Sequence, residues 1–504
     1  MRWTLLLVLA LASLAPAGEK KKDKPADAPA PQQAAGAAAL ASQAEAKAAA
    51  GDQEGAVELL QKATRAPDAT GDTWLRLGRT LDRKHDLDLA LDAYQAAAEK
   101  LQGPAKGEAL GRLSFVQQAR AAREATAPAE EAVAADPGGA WPQAALAFAR
   151  AQSGKGEEAE ALARKALETG GGAAARAALG RAEEARGDLA AAEATYREAI
   201  AAGDAPEAAA IGLARVLLKA NRAAEALPVV KQVIEQAPGA VAAYKTSARI
   251  KLALGQADDA VSDAAIAAAM GEGDAEAQAI QVDVTVAQAL ANVARNQPDL
   301  ALHDLNRLRE QNPDSAAVRV GIARALVAKR QIDEAVAELR KAVELDPSSA
   351  EASYELGRVL HVYKGDAAAA LPLFEKAVAA EPANAAYRTS LGAALVGVKQ
   401  YDRAIEELRK VSESPGYDRP EAWIYLGQAQ VGAKRYKDAI PPLEKAASLA
   451  PDNDMPQALL AWAYFGLKDA ESFKKAAEKA RSLGHKEATL LDYLRRVEAG
   501  EPIK

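Results

Sequence analysis

The sequence predicts an all-α fold built from stacked antiparallel helix pairs, and three observations carry this prediction. Alanine, the strongest helix former, accounts for 131 of the 504 residues. Apolar and small residues recur with a period of roughly 34 residues along most of the chain. Glycine and proline fall mainly between the apolar segments, where they terminate helices and reverse the chain. Together these features favour many short helices over any sheet.

Composition excludes several classes of function. The chain has 63 Lys+Arg against 70 Asp+Glu, for a net charge of −7. An acidic balance argues against a nucleic-acid partner bound through a broad basic surface. Because the chain has no cysteine, disulfides, thiolate metal sites, cysteine nucleophiles and a lipoprotein anchor are excluded.

The first residues have the pattern of an export signal. Arg2 precedes the apolar run Trp3–Leu14, and the small residues of Ala15–Ala17 then suit a signal peptidase. We therefore predict a signal peptide over 1–17 and a periplasmic mature protein, with secretion as the alternative location. The run is short for a membrane span, which favours a cleaved signal over an uncleaved anchor. Residues 18–36 are rich in Lys, Pro and Ala and predict a disordered linker.

The repeat is clearest near the C-terminus. One copy places small and apolar residues at Trp423, Leu426, Gly427, Ala439, Leu443, Ala446 and Pro451. About one period earlier, matching residues stand at Leu391, Gly392, Leu395, Ala404 and Leu408. A further copy has Leu356, Gly357, Leu360, Ala370, Phe374, Ala377 and Pro382. Several copies in register make chance an inadequate explanation.

This pattern resembles the tetratricopeptide-repeat family over nearly all of Gly36–His485. The resemblance implies a right-handed superhelical solenoid of tandem antiparallel helix pairs, with about thirteen repeats. The units begin near Ala37, Gly71, Lys106, Ala140, Ala173, Glu207, Val241, Val282, Ala316, Ala350, Ala385, Pro420 and Asp454.

The predicted organisation follows from these unit starts. The solenoid covers 37–485, with degenerate units near 106–172 and an insertion near 271–281. Another degenerate unit begins near Asp454. Residues 486–504 predict a capping helix and tail, because an array of stacked repeats needs a polar outer face at its end.

The spacing has a physical reason within each unit. Leu356 and Leu360 lie one turn apart on one face of the first helix. The small residue Gly357 lets the second helix, which carries Phe374, approach closely. Pro382 lies where the second helix ends, since its ring and missing N–H stop the helix. No unit buries its apolar face alone, so neighbouring units stack.

The sequence offers no pattern typical of catalysis. It contains no phosphate loop, no G-x-S-x-G elbow and no H-E-x-x-H motif. The four histidines are far apart, and a zinc site would need three or four converging ligands. His85 and His485 fall in predicted turns, where solvated imidazoles are expected. We therefore predict no enzyme activity, no metal and no cofactor.

One pattern of charges points to a binding surface. In the family, the first helix of each pair lines the concave groove, and the residue after the small position projects into it. These positions hold Arg79, Arg181, Arg215, Arg249, Arg324 and Arg358, with Lys245 on the same side. Guanidinium groups pair well with carboxylates, so the groove is a candidate site for an acidic or extended polypeptide. Alternatively, Glu184, Asp82 and Glu351 neutralise the cations within the solenoid.

These features predict a non-enzymatic periplasmic scaffold that binds other envelope proteins or peptide segments through its concave groove. A holdase-type chaperone for envelope clients is the alternative, and it would require an exposed apolar groove. An enzyme that uses repeats to recruit substrate is disfavoured, because the repeats leave no room for a separate catalytic domain.

Overall fold

The computed structural model describes residues 36–120, 125–203, 206–271 and 273–503, which form 27 α-helices and contain no strand. The predicted all-α fold is therefore confirmed. The predicted signal peptide over 1–17 lies outside the described residues, as does the predicted linker over 18–36 apart from Gly36. No helix within the described ranges combines the length and hydropathy of a membrane span.

The helices follow one another along the whole described chain. Their bounds are α1 Ala37–Ala49, α2 Gln53–Thr64, α3 Gly71–Arg83, α4 Leu87–Lys100, α5 Gly103–Arg120, α6 Thr126–Ala135, α7 Ala140–Gln152, α8 Gly156–Glu168, α9 Gly172–Arg186, α10 Leu189–Ala202, α11 Pro206–Lys219, α12 Ala223–Gln236, α13 Val241–Ala253, α14 Ala257–Met270, α15 Ala275–Ala294, α16 Pro298–Gln311, α17 Ala316–Ala328, α18 Ile332–Leu345, α19 Ala350–Lys364, α20 Ala367–Ala380, α21 Ala385–Gly397, α22 Tyr401–Ser412, α23 Pro420–Gly432, α24 Tyr436–Leu449, α25 Asp454–Leu467, α26 Ala470–Ser482 and α27 Ala488–Glu498.

Helices α1 to α26 form consecutive pairs, each of which packs against the next, and α27 follows the last pair. We call each pair a unit, with a first and a second helix. Thirteen units result, which confirms the predicted solenoid of about thirteen helix pairs. Each helix pair contacts its neighbours in the chain, as expected of repeats that bury their apolar faces by stacking.

The turn inside a unit reverses the chain at a residue in the left-handed conformation. Gly187 and Gly365 have φ of 84° and 68°, which glycine adopts without a steric cost. The aspartates that follow, Asp188 and Asp366, each accept a hydrogen bond from a backbone N–H three residues on. These N-caps start the second helix of the unit.

Small residues let the two helices of a unit approach closely. A Cβ placed on Gly180 would lie 2.9 Å from the ring of Tyr196, and one on Gly427 would lie 2.4 Å from Leu443. Tyr196 and Leu443 are fully buried. The repeated glycine is therefore a packing requirement, because a side chain at that position would collide with the core of its own unit.

The predicted insertion near 271–281 is largely helical. Helix α15 begins at Ala275, seven residues before the expected unit start at Val282, and runs for 20 residues. Asp274 caps it by accepting hydrogen bonds from the N–H groups of Glu276 and Ala277. Helix α15 is thus about two turns longer than a 13-residue first helix such as α13.

The first helices form one side of the solenoid. Each contacts the first helix of the next unit, whereas no second helix makes an extensive contact with another second helix. Because the side with more neighbour contacts is the more tightly curved, we call the surface of the first helices the inner surface and that of the second helices the outer surface.

The first part of the solenoid closes on itself. Helix α5, in the third unit, contacts α11 and α13, which belong to the sixth and seventh units. Nδ1 of His85, in the turn between α3 and α4, lies 2.5 Å from Oε1 of Glu207 on α11. The expectation of a solvated imidazole at His85 was therefore wrong, because closure brings a carboxylate to it. We call helices α3 to α13 the N-terminal ring.

Helix α27 covers the end of the last unit. Leu490 and Leu494 are fully buried against α25 and α26, while Arg495 and Arg496 are exposed. His485, just before this helix, has a side chain only 9% exposed, and its Nδ1 lies 2.7 Å from Oδ2 of Asp454. A solvated imidazole was expected there too, and the packing of α27 explains the difference.

Candidate functional site

All seven cations selected from the sequence lie on first helices and therefore belong to the inner surface. They are Arg79 on α3, Arg181 on α9, Arg215 on α11, Lys245 and Arg249 on α13, Arg324 on α17 and Arg358 on α19. The structure divides them into three groups, because each pairs with carboxylates of its own or a neighbouring first helix. They do not form one continuous row of unpaired charge.

Arg79 forms the first group with Glu108 on α5. Its Nε lies 3.0 Å from Oε1 and its Nη2 lies 2.5 Å from Oε2, a bidentate arrangement. Arg112 also donates to Glu108, at 2.8 Å, and its guanidinium lies 3.9 Å from the centre of the Trp141 ring. This part of the inner surface is held by ion pairing and cation–π contact.

Glu184 on α9 is the centre of the second group. Its carboxylate has no exposed surface and accepts hydrogen bonds from Arg215 at 2.5 to 3.1 Å. Nη1 of Arg181 lies 2.9 Å away and Nζ of Lys219 lies 2.8 Å away. Burial raises the pKa of Glu184, but these cations outweigh burial and hold it well below its ordinary value. Three cations thus share one carboxylate.

Lys245 and Arg249 on α13 pair with carboxylates at the start of α15. We count them in the second group because the charge of one of these carboxylates, Glu276, also acts on Arg215. Nζ of Lys245 lies 2.8 Å from Asp274 and 2.6 Å from Glu276, and Nη2 of Arg249 lies 2.9 Å from Glu276. The side chain of Lys245 is only 7% exposed. Glu276 lies in the insertion, outside the repeat register, so the spacing of the repeats could not reveal it as a partner.

The third group is balanced in charge. Arg324 on α17 and Arg358 on α19 both donate to Glu355, at 2.7 to 2.9 Å. Glu351 lies 2.8 Å from Nη2 of Arg324. Two guanidiniums therefore face two carboxylates, and the side chain of Glu355 is only 6% exposed.

The ion pairs agree largely with the alternative interpretation of the charge pattern, in which carboxylates of the solenoid neutralise the cations. Glu184 and Glu351, two of the three carboxylates expected to neutralise the cations, do contact them. The third, Asp82, accepts a hydrogen bond from Tyr94 and lies 3.9 Å from Arg112. Sequence reasoning missed four further partners: Glu108, Asp274, Glu276 and Glu355. Binding of an acidic segment along the whole row stays a prediction.

Closure of the N-terminal ring creates a cavity of about 110 Å³ on the inner surface. Six successive first helices line it, from α5 to α15. The lining residues are Gln118, Ala119, Phe148, Gln152, Arg181, Ala208, Ile211, Arg215, Ala242, Lys245, Thr246, Arg249 and Glu276. We call it the cationic cavity, because four of the seven selected cations meet there.

A second, larger cavity of about 530 Å³ lies between units near the C-terminus. Small residues at the start of α21, among them Ala386 and Ser390, form its floor, and Tyr354 and Tyr417 stand beside it. The Tyr354 ring lies 4.6 Å from that of Tyr387, and the Tyr417 hydroxyl accepts the N–H of Ala422 at 3.3 Å. We call it the C-terminal pocket. Sequence reasoning missed it, because α21 simply lacks large side chains there.

Side chains of the metal-binding types are dispersed over the described ranges. No three His, Asp or Glu side chains in these ranges converge as metal ligands would. His361 is an example of a histidine with a packing role: burial lowers its pKa, and its ring lies 6.4 Å from that of Phe374.

Comparison with protein families finds two matching models, both described as tetratricopeptide repeat. One matches residues 185–241, 286–350 and 320–385, and the other matches residues 361–429. No curated protein matches the chain.

Several solved structures are similar in part. YrrB, described as a tetratricopeptide-repeat protein with an unusual peptide-binding site, is 24% identical over 38% of this chain and 97% of its own, with a TM-score of 0.34. MamA from Desulfovibrio magneticus RS-1 is 25% identical over 34% of this chain and 97% of its own, with a TM-score of 0.30. The Cut9–Hcn1 hetero-tetramer of APC/C has a chain 13% identical over 91% of this chain and 96% of its own, with a TM-score of 0.43.

Proposed function

We propose that this chain, whose residues 185–241 and 286–429 match models of the tetratricopeptide repeat, is a non-enzymatic scaffold of the bacterial periplasm that binds segments of other envelope proteins on its inner surface. The export signal predicted for residues 1–17 supports the location. The C-terminal pocket is the observation that carries the binding role.

The C-terminal pocket suits a polypeptide because it combines polar and aromatic groups. Its floor on α21 offers the side chains of Thr389 and Ser390, and Arg419 and Glu421 border it with opposite charges. Tyrosine rings present a large apolar face together with a hydroxyl, which suits them to binding surfaces. A segment lying there could place a side chain between Tyr354 and Tyr417 and use the polar groups for its main chain.

The walls of the C-terminal pocket are held in place before any ligand arrives. Tyr417 is fixed to α23 through its hydrogen bond with Ala422, and Tyr354 packs against Tyr387. A preformed site loses less conformational entropy on binding than a flexible one does. The pocket therefore supports specific recognition of a segment more than general holding of unfolded chains.

The holdase alternative would need a continuous apolar surface. Among the described residues, the large apolar side chains that are exposed lie on five separate helices, namely Leu89, Ile266, Leu300, Val362, Tyr363 and Met455. Suppression of aggregation of a model client at stoichiometric amounts would favour the holdase and count against the specific scaffold.

The test is crosslinking in cells of the source organism, followed by identification of the proteins that co-purify. In the double variant Ala386→Arg with Ser390→Arg, two long charged side chains fill the C-terminal pocket, and we expect recovery of the specific partners to fall at least tenfold. The matched control is Ala379→Arg, at an exposed position on α20 of the outer surface. If the pocket variant and the control recover the same partners, the proposed binding surface is wrong. Cell fractionation tests the location separately.

A further inference from the structure

We infer that the cationic cavity binds a single anionic group, a carboxylate or a phosphate. This site is separate from the C-terminal pocket, and its assignment does not rest on the scaffold role. Three properties of the described lining residues support it: the balance of charge, two buried polar atoms without partners, and the size of the cavity.

The lining is richer in positive than in negative charge. Arg181, Arg215, Lys245 and Arg249 line the cavity, whereas Glu276 is the single carboxylate among the described lining residues. Glu184, which is not a lining residue, pairs with Arg181 and Arg215 and also with Lys219.

The acids that lie near these cations do not remove the excess. Asp274 and Glu276 balance Lys245 and Arg249. Asp283 is the next acid, and the cation on which it acts is Arg249. The three cations around Glu184 therefore remain in excess over the nearby carboxylates.

Two polar atoms of the lining lack hydrogen-bond partners. Nε of Arg181 is buried without an acceptor, and Oε1 of Gln118 is buried without a donor. Burial and the positive charge of Arg215 lower the pKa of Arg181, as expected of a cation that is not fully compensated. Arg181 is therefore a cation with one hydrogen bond fewer than it can make, which adds to the unbalanced positive charge beside the cavity.

The size of the cavity limits the ligand. A volume of about 110 Å³ holds roughly seven to eleven water molecules, since each needs roughly 10–15 Å³. An extended chain advances about 3.3 Å with each residue, so a long segment does not fit inside. A single carboxylate or phosphate does fit, and planar guanidiniums bind either group in bidentate fashion.

Calorimetric titration of the purified chain tests the inference and identifies the source of the anion. The probes are inorganic phosphate, succinate, and a hexapeptide that ends in two glutamates, with its C-terminal amide for comparison. We expect at least one probe to bind, with a dissociation constant that rises tenfold or more in Arg181→Gln and in Arg249→Gln. The matched control is Arg164→Gln on α8, whose guanidinium pairs with Glu160 on the outer surface and leaves the cavity intact.

Each outcome decides the question. Binding of phosphate or succinate, weakened in both cavity variants, assigns the site to a small free anion. Binding of the peptide alone, lost on amidation, assigns it to a terminal carboxylate. If no probe binds, or if the cavity variants bind as tightly as the control, the inference is wrong. Should Arg181→Gln fail to fold by circular dichroism, Arg249→Gln decides, since its side chain is 43% exposed. Because only purified protein is used, failure here leaves the scaffold proposal untouched.

Discussion

His85 and Glu207 are 122 residues apart in the chain, yet Nδ1 of one lies 2.5 Å from Oε1 of the other. The contact joins the second unit to the sixth. It coincides with the contacts that α5 makes to α11 and α13 across the inner surface. The N-terminal ring is thus closed by a side-chain contact at its edge as well as by helix packing inside, and the cationic cavity depends on that closure.

The closure should depend on pH. The hydrogen bond and charge of Glu207, helped by the charge of Asp82, raise the pKa of His85 above 6.5. The stabilisation is therefore complete below pH 6.5 and is lost as the pH rises through the raised pKa. Because the chain has no cysteine, spin labels at Leu89→Cys and Gln236→Cys report the distance across the contact. We expect the distances to broaden between pH 6 and pH 9.

Replacing either partner gives the control for this pH effect. In Glu207→Gln and in His85→Gln, the distance between the labels should no longer change over that pH range. We expect each change to cost about 1.5–3 kcal/mol of the free energy that holds the ring closed, as is typical of a hydrogen bond to a charged group. A pH response that persists in both variants would show that another group controls the contact.

Removing the charge of Glu184 should destabilise the N-terminal ring strongly. Glu184→Gln leaves Arg181 and Arg215 without their shared carboxylate, and breaking a buried ion pair from one side costs roughly 3–5 kcal/mol. Guanidinium unfolding followed by circular dichroism measures this. Glu193→Gln is the control, because its partners Arg197 and Arg222 lie at an exposed surface, where such pairs contribute about 0–1 kcal/mol. Equal losses of unfolding free energy in the two variants would contradict the larger contribution expected of the buried ion pairs of Glu184.

The contribution of Glu184 to stability should decrease at acid pH. The pKa of Glu184 in the folded chain lies well below the ordinary 4.5, so its contribution to stability is complete above that pH. The contribution declines as the pH falls below 4.5, because the unfolded state then binds the proton more readily. The difference in unfolding free energy between the natural chain and Glu184→Gln should accordingly shrink from pH 6 to pH 3. A constant difference would exclude this linkage.

The small position of the repeat should not accept a branched side chain. In Gly427→Val, the new Cβ would lie 2.4 Å from Leu443, and overpacking of this kind costs roughly 1–3 kcal/mol. Gly138→Val serves as the control, because nothing lies closer than 4.0 Å to a Cβ there. If a thermal melt shows the same stability for both variants, close helix approach is not what the glycine provides.

Loss of the capping helix contacts should loosen one end of the solenoid only. Leu490→Ala and Leu494→Ala each remove a fully buried side chain, at a cost of about 2–5 kcal/mol. Repeats contact mainly their neighbours, so disruption should decay with distance along the array. Hydrogen exchange should speed up in α25 and α26 and stay unchanged in α1 to α8. Faster exchange along the entire chain would instead indicate a globally cooperative fold.

Most of the fold could be predicted from the sequence because its signals are periodic. The positions of Gly357 and Phe374 recur at fixed offsets in other units. A Cβ on Gly357 would collide with the Phe374 ring, which explains why the first of these positions requires a small residue. The two matching family models and the thirteen helix pairs of the described residues accordingly confirm the predicted solenoid of repeated helix pairs. The start of α15 differed from its predicted position, since Ala275 and the residues after it lie outside the repeat register.

The sequence by itself determined which helices form and which of their faces are buried, because both depend on residues within one or two units. It also placed Arg181 and Arg249 on the same kind of face. Only the tertiary structure decided that these two meet at one cavity and that Glu184 and Glu276 partly neutralise them. The reason is that small rotations between successive units add up over the solenoid. Their sum, which no single repeat encodes, brings His85 to Glu207 and closes the ring.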